Sequence, residues 1–261
     1  MDSKHIFDLA ARLDSATLEK REIERLTLTV PNLSLAEAYS IQEKGMTFRF
    51  QRGEKPVGFK MGLTSQAKRE QMNLDSAIYG VLTDKMQILE GSSFSVGSSI
   101  HPKIEPEIAF WIGRDLSGNV SAEEALAACS GVTAALEILD SRFLNFKYFS
   151  LPDVVADNCS SAYFVMGQTV KKLTAVSLSE LEMTLKVNGK PVQKAYSNAI
   201  SGNPLQSVVQ LCEMLHQRGQ ILPAGSLVLA GAATQAVPLE RNTEIQLEVD
   251  HLGSVTLSIT E

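Results

Sequence analysis

The feature that most constrains this chain is the run Ile100-His101-Pro102-Lys103-Ile104-Glu105-Pro106-Glu107-Ile108-Ala109-Phe110-Trp111. Side chains alternate across a strand, so Ile104, Ile108 and Phe110 share one face while Glu105 and Glu107 share the other. Two residues of strand rise hold the carboxylates roughly 7 Å apart. They repel unless something positive lies between them, and a hard divalent cation is the simplest candidate. The competing reading is a half-solvated strand whose acids face water. Pro106 has no N–H to give to a ladder, so the strand must be an edge or be bulged there.

A second acid, Glu137, lies in the mostly apolar run from Val132 to Asp140, which reads as another strand. Burying an unpaired carboxylate costs several kcal/mol, on the order of the penalty for an isolated charge. Glu137 therefore needs a partner. The choice lies between an ion pair with Arg142 or Lys147, which this strand alone favours slightly, and a metal shared with Glu105 and Glu107. Three carboxylates form an all-oxygen donor set, which suits Mg²⁺ or Mn²⁺ rather than zinc. His5, His101, His216 and His251 are scattered, and only His101 lies near the acidic strand.

Around this centre the chain reads as mixed α and β. Asp2 or Ser3 caps a helix to about Leu18, and Ser34 with Glu37 forms a capping box for a helix ending near Gly53. Val57 to Ser65 reads as a short strand leaving through a glycine turn into a helix over 66–72, with Lys60 at the strand exit. Ser121 and Glu124 make another capping box. Asn188-Gly189 between alternating arms marks a hairpin, and Asn203-Pro204 opens a helix to Gly219. Strands are expected over 226–230, 244–249 and 254–260, the last two paired around His251. Asp153 to Ser161 reads as a polar turn with short hydrogen-bonding side chains suited to carboxylate or enolate oxygens. Gly231 to Thr234 either brings backbone close to a ligand or makes a tight turn.

A net charge of −6, without a dense basic cluster, argues against nucleic acid and anionic membranes as partners. The three cysteines, Cys129, Cys159 and Cys212, fit neither a disulfide framework nor a zinc knuckle. With no signal-like apolar segment, the expectation is a soluble cytoplasmic protein. Dinucleotide, P-loop, zinc-protease, EF-hand and serine-elbow motifs are missing, which weakens those chemistries.

Gly58-Phe59-Lys60-Met61-Gly62-Leu63-Thr64-Ser65, Ile78-Tyr79-Gly80, His101-Pro102-Lys103-Ile104-Glu105 with Glu107, Glu137-Ile138-Leu139-Asp140-Ser141-Arg142 and Val154-Val155-Ala156-Asp157-Asn158 together resemble the fumarylacetoacetate hydrolase superfamily. Within it they resemble the branch of 2-keto-4-pentenoate hydratases and 4-oxalocrotonate decarboxylases, in matching order from about Ser34 onward. The decarboxylase subgroup is favoured by Lys60 to Ser65, by the His101 to Glu105 entry, and by Asp140 to Phe143 leading to Asn145-Phe146-Lys147.

The resemblance implies an α+β fold: a mixed β-sandwich roll, residues 76–261, behind a smaller helix-rich N-terminal α/β part, residues 1–75. It implies Glu105, Glu107 and Glu137 as ligands of Mg²⁺ or Mn²⁺, and Lys60 and Asp157 as catalytic. Ser160, Ser161, Thr234 and Arg142 are implied as substrate-binding. The implied reaction is decarboxylation of 2-oxohex-3-enedioate in meta-cleavage catabolism of aromatic compounds. The alternatives are hydration of 2-hydroxypenta-2,4-dienoate, or a non-catalytic partner of such a hydratase. A homo-oligomer and a complex with the pathway's hydratase are implied partners. Pro106, Asn203 and Ala230-Gly231-Ala232 depart from the pattern usual in relatives.

Overall fold

The computed structural model describes residues 1–64, 77–146 and 150–261. The helix expected over 66–72, and Lys147, lie outside them. The strands are β1 Pro56–Gly62, β2 Ile78–Thr83, β3 Gln87–Ile88, β4 Ser93–Ser95, β5 Lys103–Ile112, β6 Cys129–Leu139, β7 Ser161–Met166, β8 Glu182–Val187, β9 Lys190–Tyr196, β10 Leu227–Ala232, β11 Val237–Pro238, β12 Thr243–Val249 and β13 Gly253–Thr260. The α-helices are α1 Ser3–Glu19, α2 Leu35–Gln51, α3 Ala122–Ala128, α4 Leu151–Ala156 and α5 Leu205–Gln217.

The helix ends follow from local chemistry. Asp2 caps α1 by accepting from the His5 N–H, and reciprocal bonds between Ser34 and Glu37 and between Ser121 and Glu124 start α2 and α3. The Asn203 side chain accepts from the Leu205 N–H at the start of α5. Asn188 and Gly189, with φ of 50° and 74°, close the two-residue hairpin between β8 and β9, as an Asn-Gly turn requires.

The larger sheet runs β2-β1-β10-β5-β6-β7-β3, with β11 continuing alongside β5 where β10 ends. It is mixed: β1 with β10 and β3 with β7 are parallel, and its other pairs are antiparallel. Its two ends approach each other between β2 and β7, so the sheet curls into a roll. The smaller sheet, β4-β13-β12-β8-β9, packs against the outer face of β6 and β7. This is the expected α+β roll. The expected division at residue 75 meets this sheet, because β1 lies on its N-terminal side yet pairs with both β2 and β10.

Alternation along β5 and β6 separates two apolar regions. Ile104, Ile108, Phe110, Ala134, Leu136 and Ile138 face the main core under the helices and the second sheet. Ala109, Ala135, Phe164, Leu227, Leu229, Leu82 and Met86 fill the interior of the roll. Complete burial of each large side chain contributes about 1.5–3 kcal/mol. The inner cluster also forms a dry base beside the acids that continue the same strand faces. Among the described residues no helix is long and apolar enough to cross a membrane. Cys129, Cys159 and Cys212 are all free thiols.

The polar run after Asp153 is not simply a turn. Residues 151–156 form α4, with Asp153 buried and accepting from the Thr27 N–H and hydroxyl. Asn158, Cys159 and Ser160 then follow with φ of 48°, 53° and 58°.

Candidate active site

Strand register assembles the acids. Glu105 stands directly opposite Glu137 across β5 and β6, and Glu107 lies two residues along β5, opposite Ala232 of β10. One carboxylate oxygen from each of Glu105, Glu107 and Glu137 lies within 4.8 Å of the others. Glu107 and Glu137 are completely buried and Glu105 is half-buried. The half-solvated reading of this strand is therefore wrong: β5 is a central strand covered on both faces.

Pro106 is accommodated by the bulge the sequence demanded. Its carbonyl accepts from the Ala233 N–H, so its missing N–H faces the same neighbour, where the β10 register shifts between Leu229 and Ala232 and β11 takes over. Gly231 sits in that shift with φ of 105°, and a Cβ there would lie 2.3 Å from Thr64 Oγ1. Its bare backbone N–H donates to Glu107 Oε2 at 2.8 Å. The glycine signal was legible in the sequence; its object is a carboxylate of the protein.

Glu137's ion-pair partner is Lys60, not Arg142, because β1 joins the sheet beside β10 and carries Lys60 into the roll. The ammonium lies 3.1 Å from Glu137 Oε2 and donates to the Cys159 carbonyl at 3.2 Å. It is 4% exposed, whereas a lysine at a strand exit is ordinarily a solvated surface charge. Burial works to discharge Lys60, but the carboxylates around it, Glu137 foremost, outweigh that and hold its pKa above the ordinary lysine range. Burial, with Glu137 beside it, pushes the Glu107 pKa well up, and Lys60 only partly offsets this. Burial likewise raises Glu137 against the pull of Lys60.

Arg142 pairs instead with Asp157: Nε donates to Oδ1, the Arg142 backbone N–H donates to Oδ2 at 3.1 Å, and Nη2 donates to the Asp157 carbonyl at 2.6 Å. Burial outweighs the guanidinium and brings the Asp157 pKa up to about 6. Ser160 and Ser161 are buried on the following turn, and the Ser161 side chain lies beside Glu137. Thr234, on the loop after β10, donates to Gln193 Oε1 of β9. The Cys159 thiol donates to the Tyr79 carbonyl at 3.0 Å, and burial pushes its pKa up to about 12, so it is no nucleophile at neutral pH.

Strand register thus gathers three carboxylates around one point, with the Lys60 ammonium beside Glu137. Glu107 Oε1 and Glu137 Oε1 are buried and accept no hydrogen bond among the described residues. Orphaned oxygens on converging carboxylates fit a hard divalent cation, and Glu105, Glu107 and Glu137 would hold it.

A family model described as fumarylacetoacetate (FAA) hydrolase C-terminal matches residues 59–260. The chain belongs to the fumarylacetoacetate hydrolase family. It is 43% identical over 252 residues to a 4-oxalocrotonate decarboxylase of Pseudomonas sp., covering 97% of each chain. A 2-keto-4-pentenoate hydratase of Burkholderia vietnamiensis is 35% identical over 263 residues, covering 100% of this chain and 99% of the relative. The solved 4-oxalocrotonate decarboxylase from Pseudomonas putida G7, complexed with magnesium and adipate, superposes with a TM-score of 0.96 at 35% identity, covering 99% of this chain and 98% of that one. The site lies inside the matched region of this family fold.

Proposed function

We propose that this chain is a carbon–carbon lyase that decarboxylates 2-oxohex-3-enedioate to 2-hydroxypenta-2,4-dienoate and CO₂, with Glu105, Glu107 and Glu137 holding Mg²⁺ or Mn²⁺. The observation that carries the reading is the convergence of three carboxylates and one lysine on one buried centre. The greater identity to a decarboxylase than to the hydratase, 43% against 35%, supports the direction of the chemistry. Adipate, in the related solved structure, is a six-carbon diacid like the proposed substrate.

When bound, the divalent ion supplies Lewis-acid polarisation of a 2-oxo acid. The rest falls to the chain. In the reaction the C5–C6 bond breaks and C6 leaves as CO₂. The electron pair passes through C4 and C3 to the C2 oxygen, which is protonated to give the dienol. The Lys60 ammonium is fixed by Glu137 and the Cys159 carbonyl, so it stabilises developing negative charge without reorganising and can give a proton from Nζ. Held between Glu137 and the Cys159 carbonyl, Lys60 takes an acid and electrostatic role. The inner cluster around Phe164, Leu229 and Ala135 excludes water from one side of the centre and strengthens these interactions.

Asp157 and Arg142, buried against each other, serve by holding the turn that carries Ser160 and Ser161; those two hydroxyls and Thr234 are the proposed substrate contacts. The two expected parts, 1–75 and 76–261, meet here, the first giving Lys60 and the second the carboxylates. Assembly into a homo-oligomer, association with a dienoate hydratase, a place in aromatic meta-cleavage catabolism and a cytoplasmic location complete the proposal. The hydratase relative, matched over 99% of its length, favours a second reading in which the same centre adds water to the dienol.

Incubating the protein with Mg²⁺ or Mn²⁺ and each substrate separates the readings. Release of CO₂ from the six-carbon diacid is expected. Formation of 4-hydroxy-2-oxopentanoate from the five-carbon dienol, with no CO₂ from the diacid, would replace the decarboxylase by the hydratase.

A further inference from the structure

The turn after α4 is built in a way that neither its residue types nor the site reading explains. Asn158, Cys159 and Ser160 occupy the left-handed region in succession. L-residues visit that region singly, with asparagine among the more tolerant, and three in a row persist only where surrounding structure enforces them. The enforcement is visible. The Asn158 side chain accepts from the Val81 N–H at 2.8 Å and donates to the Val81 carbonyl at 2.9 Å, as a strand neighbour would. It thus satisfies the edge of β2 at the seam where the sheet ends approach. Gly80 makes room: a Cβ there would lie 2.6 Å from the Asn158 carbonyl oxygen. Upstream, the Arg142–Asp157 pair fixes the start of the turn, and Cys159 Sγ ties its middle to the Tyr79 carbonyl.

The consequence falls on Lys60. With the turn left-handed, the Cys159 carbonyl points into the roll and accepts from Lys60 Nζ at 3.2 Å, opposite the pull of Glu137 at 3.1 Å. A lysine has four rotatable side-chain bonds, and two fixed acceptors convert it from a mobile charge into a placed one. We propose that Asn158 is a positioning residue for this reaction: its amide clamps the seam at Val81, and the clamp sets the carbonyl that aims Lys60. This rests on the reading of Lys60 as part of the catalytic centre. It makes Asn158 a residue that touches neither substrate nor metal yet sets the turnover rate.

The test is a kcat and KM series on the metal-loaded enzyme, with Mn²⁺ affinity measured separately by calorimetry. Asn158→Ala is expected to lower kcat about 10- to 100-fold, as a misplaced catalytic group does, while KM and Mn²⁺ affinity stay within about threefold. Asn158→Asp, which keeps the acceptor and tolerates the left-handed backbone, is expected to fall between wild type and Asn158→Ala. Gly80→Ala keeps the Asn158 side chain but displaces its backbone carbonyl, so it should reproduce the kcat loss, and it stands in if Asn158→Ala does not fold. A folded Asn158→Ala or Gly80→Ala with wild-type kcat overturns the proposal. So does a loss carried by Mn²⁺ affinity, because the residue would then act through the carboxylates. Lys60→Ala, measured alongside, isolates the underlying reading: wild-type turnover there would sink the assignment of Lys60 itself, whatever Asn158 does.

Discussion

The Arg142–Asp157 pair and the carboxylate centre around Lys60 are both buried charge, and they are built on opposite principles. Arg142 and Asp157 are matched one to one, and each Asp157 carboxylate oxygen accepts from Arg142. Lys60 lies beside converging carboxylates, of which Glu107 Oε1 and Glu137 Oε1 accept nothing among the described residues. The first group is complete without a ligand and does its work by holding backbone. The second is unstable alone, because like charges buried together repel and desolvation penalises each. A buried ion pair is therefore weak ground for inferring function, whereas carboxylates converging on one buried point, with orphaned oxygens, are strong ground.

The sharpest break in that comparison is neutralising one ligand. Glu105→Gln or Glu107→Gln should lower metal-dependent turnover by at least about 10⁴-fold, roughly 5 kcal/mol of transition-state stabilisation, while circular dichroism shows the fold retained. Wild-type rates for either variant in chelator-treated, magnesium-restored buffer would mean that the acids are not the metal site. Breaking the matched pair has the reverse signature. Arg142→Met leaves Asp157 buried without its cation and should cost about 3–5 kcal/mol of stability by urea unfolding. A loss below about 1 kcal/mol would place that pair with surface-like ion pairs of little worth.

A smaller effect sharpens the contrast. Saturating Mg²⁺, at 100 times its dissociation constant, should stabilise the native chain by about 2.7 kcal/mol, and a chelator should remove that increment. The Glu107→Gln variant should lack it, because the donor set that binds only the folded state is then incomplete. An equal rise in Tm for that variant would show that the ion acts elsewhere.

How much of this was readable beforehand depended on whether the controlling contact was local. The caps at Asp2, Ser34 and Ser121, the Asn188-Gly189 turn and the alternation of β5 are short-range, and all appear where the residues place them. The demand that Pro106 sit at a bulge was also met, since a missing N–H constrains its strand whatever the partner. The pairing of Glu137 with Lys60 was not legible, because it depends on β1 lying beside β10, a contact between residues about 170 positions apart along the chain. Arg142, five positions from Glu137, looked the better partner only on nearness in sequence. Its true partner, Asp157, is held by the left-handed turn, and nothing in Asp-Asn-Cys-Ser-Ser announces three consecutive positive φ angles in residues other than glycine.

The finest probe of the comparison is pH, because the matched pair still carries a titratable group. Burial outweighs Arg142 and brings Asp157 up to about 6 from its ordinary 3.8. A carboxyl whose pKa is higher folded than unfolded binds its proton more tightly in the native state. Its contribution to stability is present at low pH and lost as pH rises through about 6. Between pH 5 and pH 7 the native protein should therefore lose about 1 kcal/mol relative to Asp157→Asn, which cannot titrate. Urea midpoints for the two proteins at both pH values measure the difference directly. A gap that does not change with pH would mean that Arg142 keeps Asp157 ionised throughout. The guanidinium would then offset the whole desolvation cost of its partner, and the matched pair would be more self-sufficient than burial alone allows.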